Sequence, residues 1–306
     1  MNKTTTNKLK IAHWNANGLR NKIEQLKNFI YEHNIDIMLI NETKFTSRNN
    51  CNIQGYKTLR ADRISTGTKN PGGGIAIFVK NGIPSSEITY NKNSNDFQVI
   101  GVKIKKLTVY SVYVKNNSLD TSVLDDLFKS NIKVIVAGDF NARHQIWNCN
   151  KSNVNGTSLK NYIKNRDYSL LYPDQHTFYP SNHRNKPSTL DLALIKNTSN
   201  VKIEVVNDLD SDHLPIIIDL NAKIKLNKPK TFYNYAKADW KKFRNYLTEN
   251  HNMNTKLSEK REIDKAINNL INNIQQACKI AIPVVTCKPN ADVLNSEIKM
   301  LIKIKK

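Results

Sequence analysis

The sequence has few cysteines and no long apolar run, and these absences exclude several classes of protein. The four cysteines form no C-x-x-C pair and lie far from any histidine at zinc-ligand spacing: Cys51, Cys149, Cys278 and Cys287. We therefore predict reduced thiols in an intracellular protein, without a disulfide framework or a zinc site. The first residues, MNKTTTNKLKIAHW, lack the apolar core of a signal peptide. No later stretch reaches the ~18 apolar residues of a membrane span, so we expect no membrane partner.

Acidic residues are also scarce. The chain has 26 Asp and Glu against 47 Lys and Arg, a net charge of +21 over 306 residues. Such an excess suits a polyanionic partner such as nucleic acid. A coding bias is the alternative source of the charge, because Lys outnumbers Arg by 38 to 9 and Asn and Ile are abundant as well.

Short apolar runs that alternate with polar turns fill the chain from about residue 8 to residue 220. Nine of them are typical of strands, and they cover residues 8–14, 35–42, 74–80, 97–104, 107–114, 133–139, 189–195, 201–206 and 214–220. Residues 21–33 and 118–130 have helical spacing, the second after a Ser118 cap. Nine strands with so few helices are more than one doubly wound sheet would contain. The pattern predicts an α/β fold with two packed sheets flanked by helices.

The alternation of apolar runs and polar turns ends after Leu220, where a basic, Pro-containing linker begins. Residues 221–306 hold 18 Lys or Arg against 7 Asp or Glu, which is +11 of the total charge. Within them, residues 262–282 place apolar side chains from Ile263 to Cys278 at helical spacing. We predict two regions, a catalytic-type domain over 1–220 and a basic, mainly helical segment over 221–306. One face of the long helix needs a partner.

Several predicted strands end in side chains suited to metal or phosphate. They are Asn15 and Asn17, Glu42, Asp139 and Asn141, Asp191, and Asp212 with His213. Each alone is more typical of a solvated turn or a structural residue. Five such strand ends in one chain indicate a site, because loops at one sheet edge present side chains from a rigid platform.

This set of residues has the chemistry of phosphodiester hydrolysis. Glu42, helped by Asn15, would hold Mg²⁺, with Mn²⁺ as an alternative ion, and Asp212 could bind a second or alternative metal. Asp139, with Asn141, is the candidate general base for water. His213 would contact the scissile phosphate, with Asp191 fixing its tautomer and charge. No small-molecule cofactor is indicated, since PGGG at 71–74 lacks the G-K-[ST] ending of a phosphate loop.

The motifs W-N-x-N-G, I-N-E-T, S-V-Y-V, G-D-F-N-A-R-H, L-D and S-D-H-L-P follow one another in this order over about residues 8–220. This ordered set resembles the endonuclease/exonuclease/phosphatase superfamily, which includes exonuclease III, the apurinic-site endonucleases and DNase I. The stretches HWNANGLRNKIEQLKNFI, PGGGIAIFVKNGIP, GDFNARHQIWNC and ADWKKFRNYL are similar to the endonuclease domain of jockey-type non-LTR retrotransposons. Repair endonucleases usually have Asp where this chain has Asn17.

The resemblance implies a four-layer α/β sandwich, like that of DNase I and exonuclease III. It implies a nuclear, Mg²⁺-dependent endonuclease that nicks double-stranded DNA, so that the freed 3′-hydroxyl primes reverse transcription of the element's RNA, a second candidate partner. Tyr113 and Asn116 match positions near the phosphate, although Lys115 stands where Pro is usual. Asn17, Asn116, His144 and Trp147 are then candidate DNA contacts. Trp147 would stack on a base, or would act as a packing anchor instead.

The sequence is compatible with three functions. The first is an active retrotransposon endonuclease, and the second is an apurinic-site repair nuclease or another phosphodiesterase of the same fold. The third is a decayed copy that binds nucleic acid and catalyses nothing. The resemblance predicts a reverse transcriptase further along, but the chain has no Y-x-D-D motif. We therefore expect a truncated copy or an isolated fragment.

Overall fold

The structure is a computed structural model that describes residues 5–49, 51–63, 72–130, 132–164, 166–182, 184–225, 231–250 and 259–286. Its strands, in chain order, are β1 (Thr5–Asn15), β2 (Ile37–Asn41), β3 (Tyr56–Ala61), β4 (Ile75–Lys80), β5 (Ser86–Thr89), β6 (Phe97–Ile104), β7 (Leu107–Val114), β8 (Lys133–Asp139), β9 (Ser169–Leu171), β10 (Asp191–Lys196), β11 (Val201–Val205), β12 (Ile216–Lys225), β13 (Thr231–Tyr233) and β14 (Val284–Thr286). The helices are α1 (Ile23–Glu32), α2 (Thr121–Phe128), α3 (Val154–Lys164), α4 (Trp240–Asn250) and α5 (Lys260–Ala281).

Twelve of the strands form two six-stranded mixed sheets. The first sheet has the order β11-β12-β1-β2-β4-β3, and the second has the order β5-β6-β7-β8-β10-β9. Each sheet has one parallel pair near its centre, β1 with β2 and β7 with β8, among antiparallel neighbours. In both sheets, therefore, two parallel central strands end side by side at the same edge.

Both faces of each sheet are buried, and successive side chains along a strand enter the cores on opposite faces. In β1, Ile11 lies in the core between the sheets and Ala12 lies in the core under α1. In β8, Ile135 belongs to the core between the sheets and Val136 to the core shared with α2 and α3. Successive strand side chains point to opposite faces, so a strand buried on both faces needs a continuous apolar run. The result is a four-layer α/β sandwich, with the order helix, sheet, sheet, helices.

The two predicted helices of this sandwich are present, with one difference at a cap. α1 buries Leu26, Phe29 and Ile30 against the first sheet. The cap of α2 is Asp120 rather than Ser118, because the Asp120 carboxylate accepts the backbone N–H of Ser122 at 2.8 Å. The chain therefore continues two residues further before the helix begins.

The two six-stranded sheets and α1–α3 form one compact unit, and the described residues from 231 to 286 form a second. β12 pairs with β1 as far as Lys225, opposite Thr5, so the sheet continues past the predicted boundary at residue 220. The second unit contains α4, α5 and the β13–β14 pair. Along α5, six apolar side chains are 39–50% exposed: Ile263, Ile267, Leu270, Ile271, Ile274 and Ile280. Among the described helices, none is long and apolar enough to cross a membrane.

Candidate active site

Polar side chains from both sheets meet where the central strands end. In the first sheet, Asn15 at the end of β1 is in register with Asn41 at the end of β2. In the second sheet, Asp139 at the end of β8 is in register with Tyr113 of β7 and with Asp191 of β10. The sandwich places the two edges face to face, so that residues far apart in the sequence are brought into contact.

Asn15 joins the two sheets at this edge. Its amide nitrogen donates to Oδ2 of Asp139 at 2.9 Å and to Oε1 of Glu42 at 3.2 Å. Its Oδ1 accepts the backbone N–H of Asn17 at 3.0 Å. The amide therefore presents donors to both carboxylates and holds them on one side of the cleft.

Glu42 follows β2 directly and has a left-handed backbone, with φ at 49°. Its carboxylate also hydrogen-bonds Tyr113, whose pKa is raised by burial first and then by the charges of Glu42 and Asp139. Gly74 packs against the next residue, since a Cβ there would lie 2.6 Å from Oγ1 of Thr43. The Gly74 and Gly73 carbonyls also accept the backbone N–H groups of Thr43 and Lys44, so these two glycines support the turn that carries Glu42.

Asp139 is 1% exposed, and its atoms are held from several directions. Oδ1 accepts the backbone N–H of Asn141 at 2.8 Å, and the Asn141 amide donates to the Val114 carbonyl at 2.9 Å. The backbone N–H of Asp139 donates to Oδ1 of Asn41 at 2.9 Å, and the Asn41 amide donates to Oγ of Ser111. Sequence reasoning missed Asn41, which clamps β2 to the second sheet immediately behind the site.

His213 lies between two carboxylates. Its Nδ1 donates to Oδ2 of Asp191 at 2.8 Å, and its Nε2 lies 3.8 Å from Oδ2 of Asp139. The ring is held from the outside by Phe178, with ring centroids 4.8 Å apart. The bond to Asp191 fixes the ring orientation, so Nε2 is the nitrogen that faces the cleft.

The pKa values of this triad follow from burial and charge. Burial raises the pKa of the Asp139 carboxyl to about 7, although the neighbouring His213 acts in the opposite direction. Burial alone would lower the pKa of His213, but the charges of Asp191 and Asp139 outweigh it and raise the pKa to about 9. Burial would also raise the pKa of Asp191, and His213 and His13 together hold it well below its usual range. A charged imidazolium beside an ionised Asp191 is the arrangement that these shifts favour.

A second histidine holds the same aspartate. Nε2 of His13, in the middle of β1, donates to Oδ1 of Asp191 at 2.9 Å, and both side chains are fully buried. The other ring nitrogen of His13, Nδ1, has no hydrogen-bond partner in the described part of the chain. Both oxygens of Asp191 are therefore occupied by histidines. Sequence reasoning missed His13 because it sits among apolar strand residues, 178 positions from its partner.

Asn17 and Asp212 lie at the rim of the cluster. The Asn17 amide donates to Oδ1 of Asp212 at 3.2 Å, and the Lys44 ammonium donates to Oδ1 of Asn17. Oγ of Ser211 also donates to Asp212, at 3.1 Å. The structure records no hydrogen bond of Asp212 with Glu42 or Asp139 within the described residues.

Three predicted DNA contacts are not joined to this cluster by any hydrogen bond among the described residues. Asn116 is exposed, and the His144 ring accepts the backbone N–H of Ile146 while packing on Trp147. Trp147 itself is 0% exposed, and its indole N–H donates to the Ala142 carbonyl at 3.0 Å. The predicted base-stacking role of Trp147 is therefore wrong, because a fully buried indole has no free face. Trp147 is the packing anchor of this loop.

The donor set fits a magnesium ion held by few protein ligands. The described residues contain no group of three or more His, Cys, Asp or Glu side chains arranged as a closed metal cage. Magnesium usually keeps several waters and binds through one or two carboxylates together with substrate phosphate. Glu42, half-buried beside the Asn15 amide, offers a hard oxygen ligand of this kind.

Comparison of the sequence with known proteins agrees with this geometry. The family described as Endonuclease-reverse transcriptase matches residues 107–217. The chain is similar to the probable RNA-directed DNA polymerase from transposon X-element of Drosophila melanogaster, with 31% identity over 292 residues, 93% of this chain and 32% of that protein. It is also 31% identical to the RNA-directed DNA polymerase from mobile element jockey of the same species, over 90% of this chain and 30% of that protein. The chain spans about a third of the length of these relatives.

Solved structures show the same fold at low sequence identity. The endonuclease domain of TRAS1, a telomere-specific non-LTR retrotransposon, matches with a TM-score of 0.53 and 17% identity, covering 70% of this chain and 99% of that one. The AP endonuclease LMAP from Leishmania major matches with a TM-score of 0.57 and 15% identity, covering 71% and 88%. The fold, the family match over residues 107–217 and the retroelement relatives agree with one another, and together they make the chain similar to the endonuclease region of jockey-type non-LTR retrotransposons.

Proposed function

We propose that this chain is a Mg²⁺-dependent DNA endonuclease that leaves a 3′-hydroxyl at the nick. The observation that carries the proposal is the placement of His213 between Asp191 and Asp139, with Glu42 on the other side of Asn15. A poised base, a cationic donor and a metal carboxylate at one cleft are what phosphodiester hydrolysis requires.

Asp139 is the group that would take a proton from the attacking water. A general base works best when its pKa is near the operating pH, and burial brings the pKa of Asp139 to about 7. A bound divalent cation would lower the pKa of Asp139 from this raised value and keep the carboxylate ionised. Asn141 holds the carboxylate through its backbone N–H, so the free lone pairs of Oδ2 point to the cleft side shared with Asn15 and His213.

His213 would donate through Nε2 to a non-bridging oxygen of the scissile phosphate. Its raised pKa keeps it protonated at neutral pH, because two carboxylates face the ring. Such a donor acts where negative charge develops, and donors of this type contribute on the order of 10²- to 10³-fold to the rate. Asp191 accepts hydrogen bonds from the two histidines, and its backbone N–H donates to Oγ1 of Thr177, so Asp191 would act by positioning His213.

Glu42 would hold the metal, which, when bound, polarises the phosphate and offsets the developing charge. The hydrogen bond with Tyr113 and the Asn15 amide orient the Glu42 carboxylate before any ion arrives. Mn²⁺ is expected to replace Mg²⁺, since both prefer oxygen ligands.

Double-stranded DNA is the proposed substrate. A net charge of +21 favours a polyanion, and the solved structures with this fold include an endonuclease domain and an AP endonuclease. The similarity to jockey and X-element proteins supports a role in which the nick primes reverse transcription of element RNA in the nucleus. The polymerase needed for that step would be a separate part of such a protein.

Supercoiled plasmid is the substrate that tests the proposal. Purified chain with Mg²⁺ should convert it to the open-circular form, and the same reaction with EDTA should not. The nicked product should be extended by a DNA polymerase without phosphatase treatment, since the proposed cleavage leaves a 3′-hydroxyl. Nicks that need prior phosphatase treatment, or equal nicking in EDTA, would contradict the proposal.

A further inference from the structure

The smaller unit exposes two stacked aromatic rings at the start of α4. Tyr235 and Trp240 lie with ring centroids 6.5 Å apart and planes within 8° of parallel. Their side chains are 59% and 46% exposed, respectively. Large aromatic rings are usually buried for most of their area, so a parallel, half-open pair needs an explanation.

Neighbouring contacts hold this pair in place. Tyr233 lies 6.2 Å from Tyr235, and Phe243 lies 5.7 Å from Trp240 with its edge toward the indole. Asp239 caps α4, because its Oδ1 accepts the backbone N–H of Lys242 at 2.9 Å, and its own N–H donates to the Ala281 carbonyl. The exposed Tyr235 and Trp240 rings are therefore held by packing against the half-buried Tyr233 and Phe243 rings.

Four exposed cations lie in the same segment of the chain as these rings. Lys237, Lys241, Lys242 and Arg244 are all exposed, and none of the four forms a salt bridge within the described residues. The carboxylate of Asp239, the nearest acid in the sequence, is already committed to the helix cap. The segment 235–244 thus combines open aromatic faces with unpaired positive charge.

We propose that Tyr235 and Trp240, with these four cations, form a binding surface for an unpaired stretch of nucleic acid. Exposed bases stack on flat aromatic rings, and phosphates pair with lysine and arginine, which is how sequence-tolerant single-strand binding works. In a duplex both faces of each base are covered by neighbouring bases, so the rings select single strands. The charges favour a nucleic acid over an apolar protein partner.

Single-stranded RNA and single-stranded DNA offer this same chemistry. The surface lies wholly within the described part of the smaller unit and uses no residue of the candidate active site. Its function is therefore independent of phosphodiester cleavage, and either proposal can fail without the other.

Tryptophan fluorescence of the full chain gives a direct test. Trp14 and Trp147 are 0% exposed, so Trp240 is the tryptophan that a bound base can quench. In EDTA, which prevents metal-dependent cleavage, the chain is titrated with oligo(U), oligo(dT) and a blunt duplex. We expect quenching by one or both single strands and much less by the duplex at equal phosphate concentration. Comparison of oligo(U) with oligo(dT) identifies the source of the strand.

Variants separate stacking from charge. Trp240→Ala and Tyr235→Ala should each weaken binding of a labelled single strand about tenfold or more, from the usual strength of base–aromatic stacking. Trp240→Phe should keep most of the affinity, and Lys241→Gln with Lys242→Gln should flatten its salt dependence. Ile267→Ala, an exposed apolar side chain of the same unit, is the matched control and should bind like the parent.

Circular dichroism and thermal unfolding establish that each variant folds. Parent-like affinity in folded Trp240→Ala and Tyr235→Ala would overturn the proposal, as would a preference for duplex. Equal losses in Ile267→Ala would show that apolar contact, rather than stacking, holds the ligand, and would also overturn it.

Discussion

Asp191 and His213 form a buried pair in which Oδ2 of the carboxylate accepts from Nδ1 of the ring at 2.8 Å. This bond leaves Nε2 as the nitrogen that faces Asp139, 3.8 Å away. One aspartate thus sets both the direction and the charge of the histidine. Several expected outcomes depend on that relationship.

The pH dependence of nicking should have two limbs. The rate should rise as Asp139 loses its proton, at a pH below its metal-free pKa of about 7 because bound Mg²⁺ lowers that pKa, and fall as His213 loses its proton near pH 9. In Asp191→Asn the alkaline limb should move to lower pH, because the charge that raises the pKa of His213 is gone while burial still opposes the imidazolium. Nicking rates measured between pH 5 and 10 check this. An alkaline limb at the same pH in parent and variant would assign that limb to another group.

His13 should affect the nicking rate only through its hydrogen bond to Asp191. His13→Leu removes the donor to Oδ1 and leaves a buried carboxylate oxygen unpaired, at a cost of ~1–3 kcal/mol. We expect a lower kcat with little change in KM for DNA, because Asp191 loses one of its two supports. His13→Gln keeps an N–H donor and should recover a large part of the rate. If both variants fold and lose kcat equally, the hydrogen bond is not the reason for the loss.

Glu42→Gln should act through the metal. The amide keeps the size of the side chain but loses its charge, so the Mg²⁺ concentration for half-maximal nicking should rise at least several-fold. Asp212→Asn is the matched comparison, because Asp212 contacts Asn17 rather than the Glu42–Asp139 pair. A shifted Mg²⁺ requirement in Asp212→Asn with none in Glu42→Gln would move the ligand role to Asp212.

Gly138 should be intolerant of any side chain. A Cβ at this position would lie 1.8 Å from the carbonyl oxygen of Val112, so β7 and β8 could not keep their parallel pairing. Overpacking of a buried site typically costs ~1–3 kcal/mol, and a clash with backbone belongs at the upper end. Gly138→Ala should therefore unfold at lower urea concentration than the parent. Equal midpoints would mean that the strands separate more easily than the packing indicates.

Much of the fold could be predicted from apolar runs. Strands β6, β7 and β8 begin and end where the sequence indicates, because each is mainly apolar and buried on both faces over most of its length. The missed strands β3, β5 and β9 lie at sheet edges and bury few of their residues. α3 was missed for a related reason, since it buries only Asn155, Gly156, Leu159 and Tyr162.

The site was predictable where polar residues end a strand, as at Asp139 and Glu42. His13 was not predictable, because it lies inside an apolar strand and its partner lies across the sandwich. Asn41 ends β2 but was missed, because its partner also lies in the other sheet. For Trp147 the sequence left base stacking and packing both open, and the structure shows packing. Contacts between the two sheets carry information that spacing along one strand does not contain.

The central claim is that Asp139 and His213 perform the chemistry of strand cleavage. The most direct measurement is the single-turnover nicking rate of supercoiled plasmid with saturating Mg²⁺, for the parent, Asp139→Asn, His213→Ala and His33→Ala. His33 pairs with Asp208 at 2.6 Å, next to the start of β2 rather than its end, and so provides a histidine–aspartate control away from the site. We predict losses of about 10²-fold or more for Asp139→Asn and His213→Ala, with DNA affinity and thermal unfolding near those of the parent, and a parent-like rate for His33→Ala. Parent-like nicking by folded Asp139→Asn or His213→Ala would contradict the account.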